Sequence, residues 1–360
     1  QPLMADGESF DRVWSAANLY DNPDADGLKE LSLIGRYHGQ AWYSESEGES
    51  DQDWENRRIF FGVEAKFADQ FTFESQIAIG EELDPFYDGL YVTFLEWERP
   101  DGALSISGGR LDYLYTGLER SLSSKRIRTM ERALLVNQLM PGEVVGLHGT
   151  GEGERLIWQA GLFSGSIEDE FTSFDGGVAG IVGLAAPLSL FSDSGTVFLD
   201  YLYNDGDEEN NAFEPYEDIV SLWHQGESGH WALGLDLTWA DGVGEVSDVL
   251  GFTILPSRFI GSDLLMAGDS LEVAMRYHYA TSDEPGGLSF ARRYEQPVTL
   301  GAGDRYQSIY LGTSYLIYQH KLKLMAGAEY FRMDGLRQDG ASAESSRNGW
   351  SVIAGLRLYF

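Results

Sequence analysis

The residues best suited to chemistry lie in one run of the chain, Gly117 to Leu135. Arg120, Lys125, Arg126, Arg128 and Arg132 stand there against only Glu119 and Glu131. Elsewhere the balance is the reverse: 58 Asp and Glu face 25 Lys and Arg, a formal net charge of −33. Such a local reversal suggests an anion site. Guanidinium groups offer fixed, forked donors and an ammonium a mobile point charge, and both stabilise an anion that is shedding water. The competing reading is a basic amphipathic turn whose cations pair with neighbouring carboxylates.

Other chemistry is thinly represented. The chain has no cysteine, which excludes disulfides, Cys-based zinc sites and thiol catalysis. The six histidines, His38, His148, His224, His230, His278 and His320, include no H-E-x-x-H pair, and no G-x-S-x-G elbow occurs. His278, on a polar face near acids and serines, is kept as a member of a conceivable catalytic set. Asn204 to Asn211, with Asp205 and Asp207, invites a calcium reading, but lacks the spacing of an EF-hand loop and reads better as a solvated acidic loop. Gly149 to Gly153 lacks the Lys-Ser/Thr of a phosphate-binding loop and reads as a tight turn. No cofactor is called for. The negative charge argues against a nucleic-acid partner.

The elements that must carry these residues alternate with period two. In the last stretch Trp350, Val352, Ala354, Leu356, Leu358 and Phe360 share one face, opposite Ser351, Gly355 and Arg357. Trp231, Leu233, Leu235, Leu237 and Trp239 do the same, with an aromatic at each end. Sixteen such segments are expected, near 31–43, 56–67, 70–80, 87–97, 103–110, 144–150, 155–165, 178–187, 195–204, 216–225, 230–240, 250–257, 270–281, 304–318, 320–332 and 347–360. Abundant Gly (43), Tyr (19), Phe (19) and Trp (9) suit strands and tight turns. No window reaches the ~18 apolar residues of a membrane helix, yet a strand that is polar on one face can still cross a bilayer.

The connections alternate too. Those after odd strands are mostly long (44–55, 81–86, 111–143, 166–177, 205–215, 241–249, 282–303, 333–346), and those after even strands mostly short. With an even strand number this predicts an all-β fold: a sixteen-stranded antiparallel transmembrane β-barrel with long extracellular loops, short periplasmic turns and both ends inside. Residues 1–30 are expected to be a mobile or periplasmic segment and 31–360 the barrel. No basic, apolar leader precedes Gln1, so an exported chain would be the processed form. Apolar faces then meet lipid and polar faces a wet lumen, where strand parity places Arg36, Arg58, Lys66, Arg276 and Arg357. Each of these could instead be half of a wall salt bridge. The strand near 87–97, apolar on both faces, is a candidate subunit interface.

The sequence resembles the phosphate-selective porin O and P family over most of its length. The resemblance is carried by Ser123 to Arg132, Gly146 to Gly149, Trp158 to Gly165, Leu271 to Tyr277, Tyr306 to Leu316 and Lys321 to Tyr330. The aromatic carboxyl-terminal strand resembles the closing strand of bacterial outer-membrane barrels. The family implies a homotrimeric outer-membrane channel for small inorganic anions, its third loop folded inward to narrow the pore. By matched position Lys125, Arg126, Arg128, Arg132 and Arg276 carry over as pore cations. Outer-membrane lipid and lipopolysaccharide are the implied surroundings. One departure stands out: the excess of acids, which keeps a general or cation-preferring porin open as an alternative. A barrel enzyme or surface adhesin is the alternative from another class.

Overall fold

The structure is a computed structural model that describes residues 7–80, 86–112, 116–168, 170–189, 192–291, 293–299, 301–336 and 345–360. Residues 1–6, 81–85, 113–115, Asp169, 190–191, Arg292, Leu300 and 337–344, which fall within the N-terminal segment, loops and turns expected above, lie outside the described residues. The chain forms sixteen long antiparallel strands: β1 Leu28–Ser46, β2 Glu49–Phe67, β3 Phe71–Ile79, β4 Tyr87–Glu98, β5 Leu104–Leu111, β6 Val144–Glu152, β7 Ile157–Ser164, β8 Val178–Pro187, β9 Ser194–Asn204, β10 Tyr216–Ser228, β11 Trp231–Gly242, β12 Val249–Ser262, β13 Ser270–Ser282, β14 Arg305–Tyr318, β15 Leu322–Leu336 and β16 Ser345–Tyr359. Each pairs with its neighbour in sequence. β16 returns to β1, with Gly349 opposite Ser46 and Tyr359 opposite Arg36, so the sheet closes and leaves no edge.

Alternation decides which face meets what. Leu147, Leu162, Leu311, Trp350 and Val352 are exposed on the outside, while their neighbours His148, Phe163, Tyr310 and Ser351 are buried within. An outward apolar band on a closed barrel is the arrangement a bilayer demands, because every backbone group is paired internally. One connection differs from expectation: 44–55 is no long loop, because β1 and β2 continue as a hairpin to the two-residue turn Glu47–Gly48. Both turn residues have positive φ (52° and 91°), the conformation that fits the right-handed twist of the flanking strands.

Two further expectations change. β4 looks apolar on both faces because Tyr91 is an extra residue in the ladder, with Gln76 opposite Val92 and Ile77 opposite Leu90. The bulge lets Tyr91, Val92 and Phe94 all pack inward. The lumen is also drier than a strictly polar inner face would make it. Phe163, Ile181, Leu202, Ile219, Tyr306, Phe331 and Met333 face inward and bury against two loops.

The N-terminal helix α1, Gly7–Ser15, sits at the short-turn end. Phe10 stacks on Tyr318 at 5.2 Å and Trp14 donates its indole N–H to the Tyr359 carbonyl at 2.7 Å. Spacing of four places both rings on one helical face.

Candidate functional site

The loop after β5, residues 112–143, runs through the barrel. Gly117 turns it with φ 85°, and a side chain there would strike Asp236 on the inner wall of β11. The Leu118 N–H donates to the same carboxylate at 2.5 Å. Further on, the helix α2, Leu134–Leu139, presents Leu134, Leu135 and Leu139 to the apolar inner wall. A Glu119 oxygen accepts from the Ala133 N–H at 2.8 Å, just before the helix begins.

Between these fixed points four cations each hold one backbone carbonyl of the loop. Lys323 of β15 donates to Ile127 (3.2 Å), Arg357 of β16 to Met130 (2.7 Å) and Arg276 of β13 to Glu131 (2.7 Å). Arg293, from the loop 283–304, donates to Arg132 (2.6 Å). Arg276 also pairs with Glu119 (2.8 Å) and Glu329 (3.0 Å), and Arg293 with Glu295 (2.9 Å) and Glu329 (2.8 Å). All five charged side chains of this network are buried. In so dry a place a charge persists only with opposite charge and full hydrogen bonding around it. Arg276 and Arg357, expected to line the pore, are 0% and 2% exposed and hold the backbone of the inward loop.

The open space lies on the other side of the loop, against β1 to β5. A cavity of about 230 Å³ is bordered by Arg36, Arg58, Arg120, Lys125 and Arg132 together with Glu74, Asp112 and Glu143. Gly142 and Glu143 also border a wider space of about 580 Å³ reaching toward the long-loop end. Five cations thus face three carboxylates at this level, in a chain with more than two acids per base. Arg36 donates to Ser124 at 2.8 Å and lies over the Phe60 and Tyr91 rings. Arg132 is held through the carbonyls of Glu119 and Leu122, both at 2.9 Å. Arg120 donates to Thr116, and burial lowers its pKa to about 10, still charged at neutral pH. Lys125 stands over the Tyr359 ring at 5.1 Å. Burial, then Arg36, lowers its pKa. Asp112 accepts from the Tyr91 hydroxyl, and burial and Glu143 push it up to about 6.

The remaining expected residues disperse. Arg128 pairs with Glu272 at 3.2 Å, and Lys66 with Glu30 at 2.8 Å, so both are wall salt bridges. Arg126 is exposed below the loop. Asp205 and Asp207 accept backbone N–H groups, of Val178 (2.7 Å) and Glu209 (2.9 Å), and stiffen turns. Among the described residues no group of three metal-ligating side chains forms. His278 is buried between Thr253 (3.0 Å) and the Leu135 N–H (3.4 Å), another anchor of α2.

Two contributors escape sequence reading. Arg57 is an extra residue in β2, since His38 lies opposite Arg58 and Gly39 opposite Asn56. The bulge turns Arg57 inward beside Arg58, where it pairs with Glu131 at 3.5 Å. The Arg57-Arg58 doublet was the available signal, because strict alternation would send one guanidinium into lipid. Arg293 had no signal: it sits in a loop with no period to place it.

Comparison with known proteins bears on the fold. The model of the family described as "Phosphate-selective porin O and P" matches residues 35–181, which span β1 to β8 and the inward loop. Among solved structures the chain is similar to Pseudomonas putida OprB (12% identity, TM-score 0.59, 93% of this chain and 94% of that one). It is similar also to an anion-selective porin from Comamonas acidovorans (12%, 0.51, 92% and 99%). A third is OmpT of Vibrio cholerae in a trimer form (12%, 0.51, 92% and 99%). No curated protein sequence matches. At these identities the structures establish the fold, a closed β-barrel, and the family model is matched by part of the chain, residues 35–181.

Proposed function

Taking a porin-type outer-membrane barrel as the premise, we propose that the protein is a passive diffusion channel for small hydrophilic solutes with a preference for inorganic anions such as phosphate. The observation that carries this reading is the cavity of Arg36, Arg58, Arg120, Lys125 and Arg132. These cations converge beside the inward loop, and a low-dielectric wall makes each worth more than it would be in water. Chemistry and turnover play no part. Solutes pass from the wider space near Glu143 to the basic cavity, and leave past Lys125 at the short-turn end. The family match and the anion-selective neighbour support the same direction. The working form is a homotrimer in outer-membrane lipid and lipopolysaccharide, with residues 1–30 at the periplasmic mouth.

A general or cation-preferring channel is the second reading, favoured by Glu74, Asp112 and Glu143 in the same cavity and by the net charge. The zero-current potential of the purified protein in a planar bilayer under a KCl gradient separates the two. Anion preference that shrinks in Lys125→Gln, but not in the wall-paired Arg128→Gln, upholds the proposal. Cation preference in the wild type would mean the lumen follows the net charge instead.

A further inference from the structure

The loop 283–304, like the loop 112–143, enters the barrel, and it meets that loop at two consecutive residues. Arg293 donates to the Arg132 carbonyl (2.6 Å) while pairing with Glu295 and with Glu329 of β15. Tyr294, the next residue, has its hydroxyl bonded to Glu131 of the inward loop (3.1 Å) and to Glu55 of β2 (2.5 Å), and its ring packs on Trp42 of β1 at 5.2 Å. The pair therefore spans the lumen from β15 to β1 and β2, and its bonds fall on Glu131 and Arg132. A few residues earlier, the loop's short ribbon Leu288–Ser289 is tied to α2: the Ser289 N–H donates to Gln138, which itself donates to the Gly287 carbonyl at 2.7 Å.

We infer that Arg293 and Tyr294 are positioning residues for solute selection, and that the 283–304 loop is a strap that sets where the Arg132 guanidinium stands in the basic cavity. The other three carbonyl anchors, Lys323, Arg276 and Arg357, project from the rigid barrel wall. Arg293 is the one that belongs to a loop, and its carbonyl acceptor is that of the cavity-lining Arg132. The strap touches no solute. It acts by removing the freedom of the inward loop, so that a cation cluster held against its own repulsion keeps one geometry. A guanidinium suits this task because its fork reaches a carbonyl and two carboxylates at once.

This inference rests on the proposed channel function, and the experiment separates the two. Single-channel recordings are made on wild type, Arg293→Gln and Tyr294→Phe, each shown to be folded by heat-dependent gel mobility. Both variants leave every cavity-lining residue in place. The expected result is a noisier open state with altered conductance and a zero-current potential moved toward zero, larger for Arg293→Gln. An engineered Gln138→Cys/Ser289→Cys disulfide, made in the Arg293→Gln background of this cysteine-free chain, restores the wild-type record, and reduction abolishes the rescue. A wild type that prefers cations would overturn the function, while changed noise and conductance in the variants would still uphold the strap. Wild-type conductance, noise and potential in both folded variants would overturn the strap and leave the function standing.

Discussion

Asp112 is the residue through which acidity reaches the cavity. It lies just past the end of β5, bonded to the Tyr91 hydroxyl, and burial together with Glu143 raises its pKa to about 6. Protonation as pH falls through that value removes one of three carboxylates, while the guanidinium groups remain charged. The sign is therefore fixed: anion preference rises on acidification. Zero-current potentials taken at about pH 7.5 and about pH 4.5, on either side of that value, should differ in the wild type. Asp112→Asn should show the acid-side preference at both. A wild-type potential that does not move would take Asp112 off the solute path.

In β2 the bulge at Arg57 shows how one residue re-aims a strand without disturbing its neighbours. Removing Arg57 leaves Asn56 opposite Gly39 and Arg58 opposite His38, an ordinary ladder. The deletion variant is thus expected to fold and to keep heat-dependent mobility, losing the ion pairs to Glu131 and Glu55. Deleting Phe61 instead is expected to prevent assembly, because every residue from there to the Glu47–Gly48 turn, or to the Ala68 turn, would change face and carry polar groups into lipid. Equal assembly of the two deletions, on a gel of unheated samples, would refute the bulge as a tolerated insertion. The doublet Arg57-Arg58 made part of this legible beforehand. Its partner did not: Glu131 is far away in sequence, and only closure of the barrel brings it within reach.

For the whole molecule, the outward apolar face is continuous, and hydrophobicity alone does not distinguish lipid from a neighbouring subunit. A homotrimer is the assembly proposed above. Light scattering in mild detergent should give three times the chain mass, falling to one on heating. A single-chain mass before heating would remove the trimer while leaving the cavity and its selectivity as they are, since all cavity-lining residues come from one chain.

The barrel was written locally. Period-two faces, turn residues and the alternation of long and short connections are set by steric and solvation rules that act within a dozen residues, so strand number and topology followed without a structure. The basic run 120–132 was equally plain as composition. What each cation does was not. Arg276, Arg357 and Arg132 are the same residue type on the same kind of polar background, yet the first two are buried anchors and the third borders the open cavity. The first two reach the inward loop from the barrel wall, while Arg132 belongs to that loop. The burial of the first two depends on Glu119 and Glu329 lying near Arg276 and on Met130 lying near Arg357, partners 157, 53 and 227 residues away along the chain. Electrostatics in a dry interior is settled by partners within a few ångströms, and those partners exist only once the sheet has closed and the two loops have folded into it.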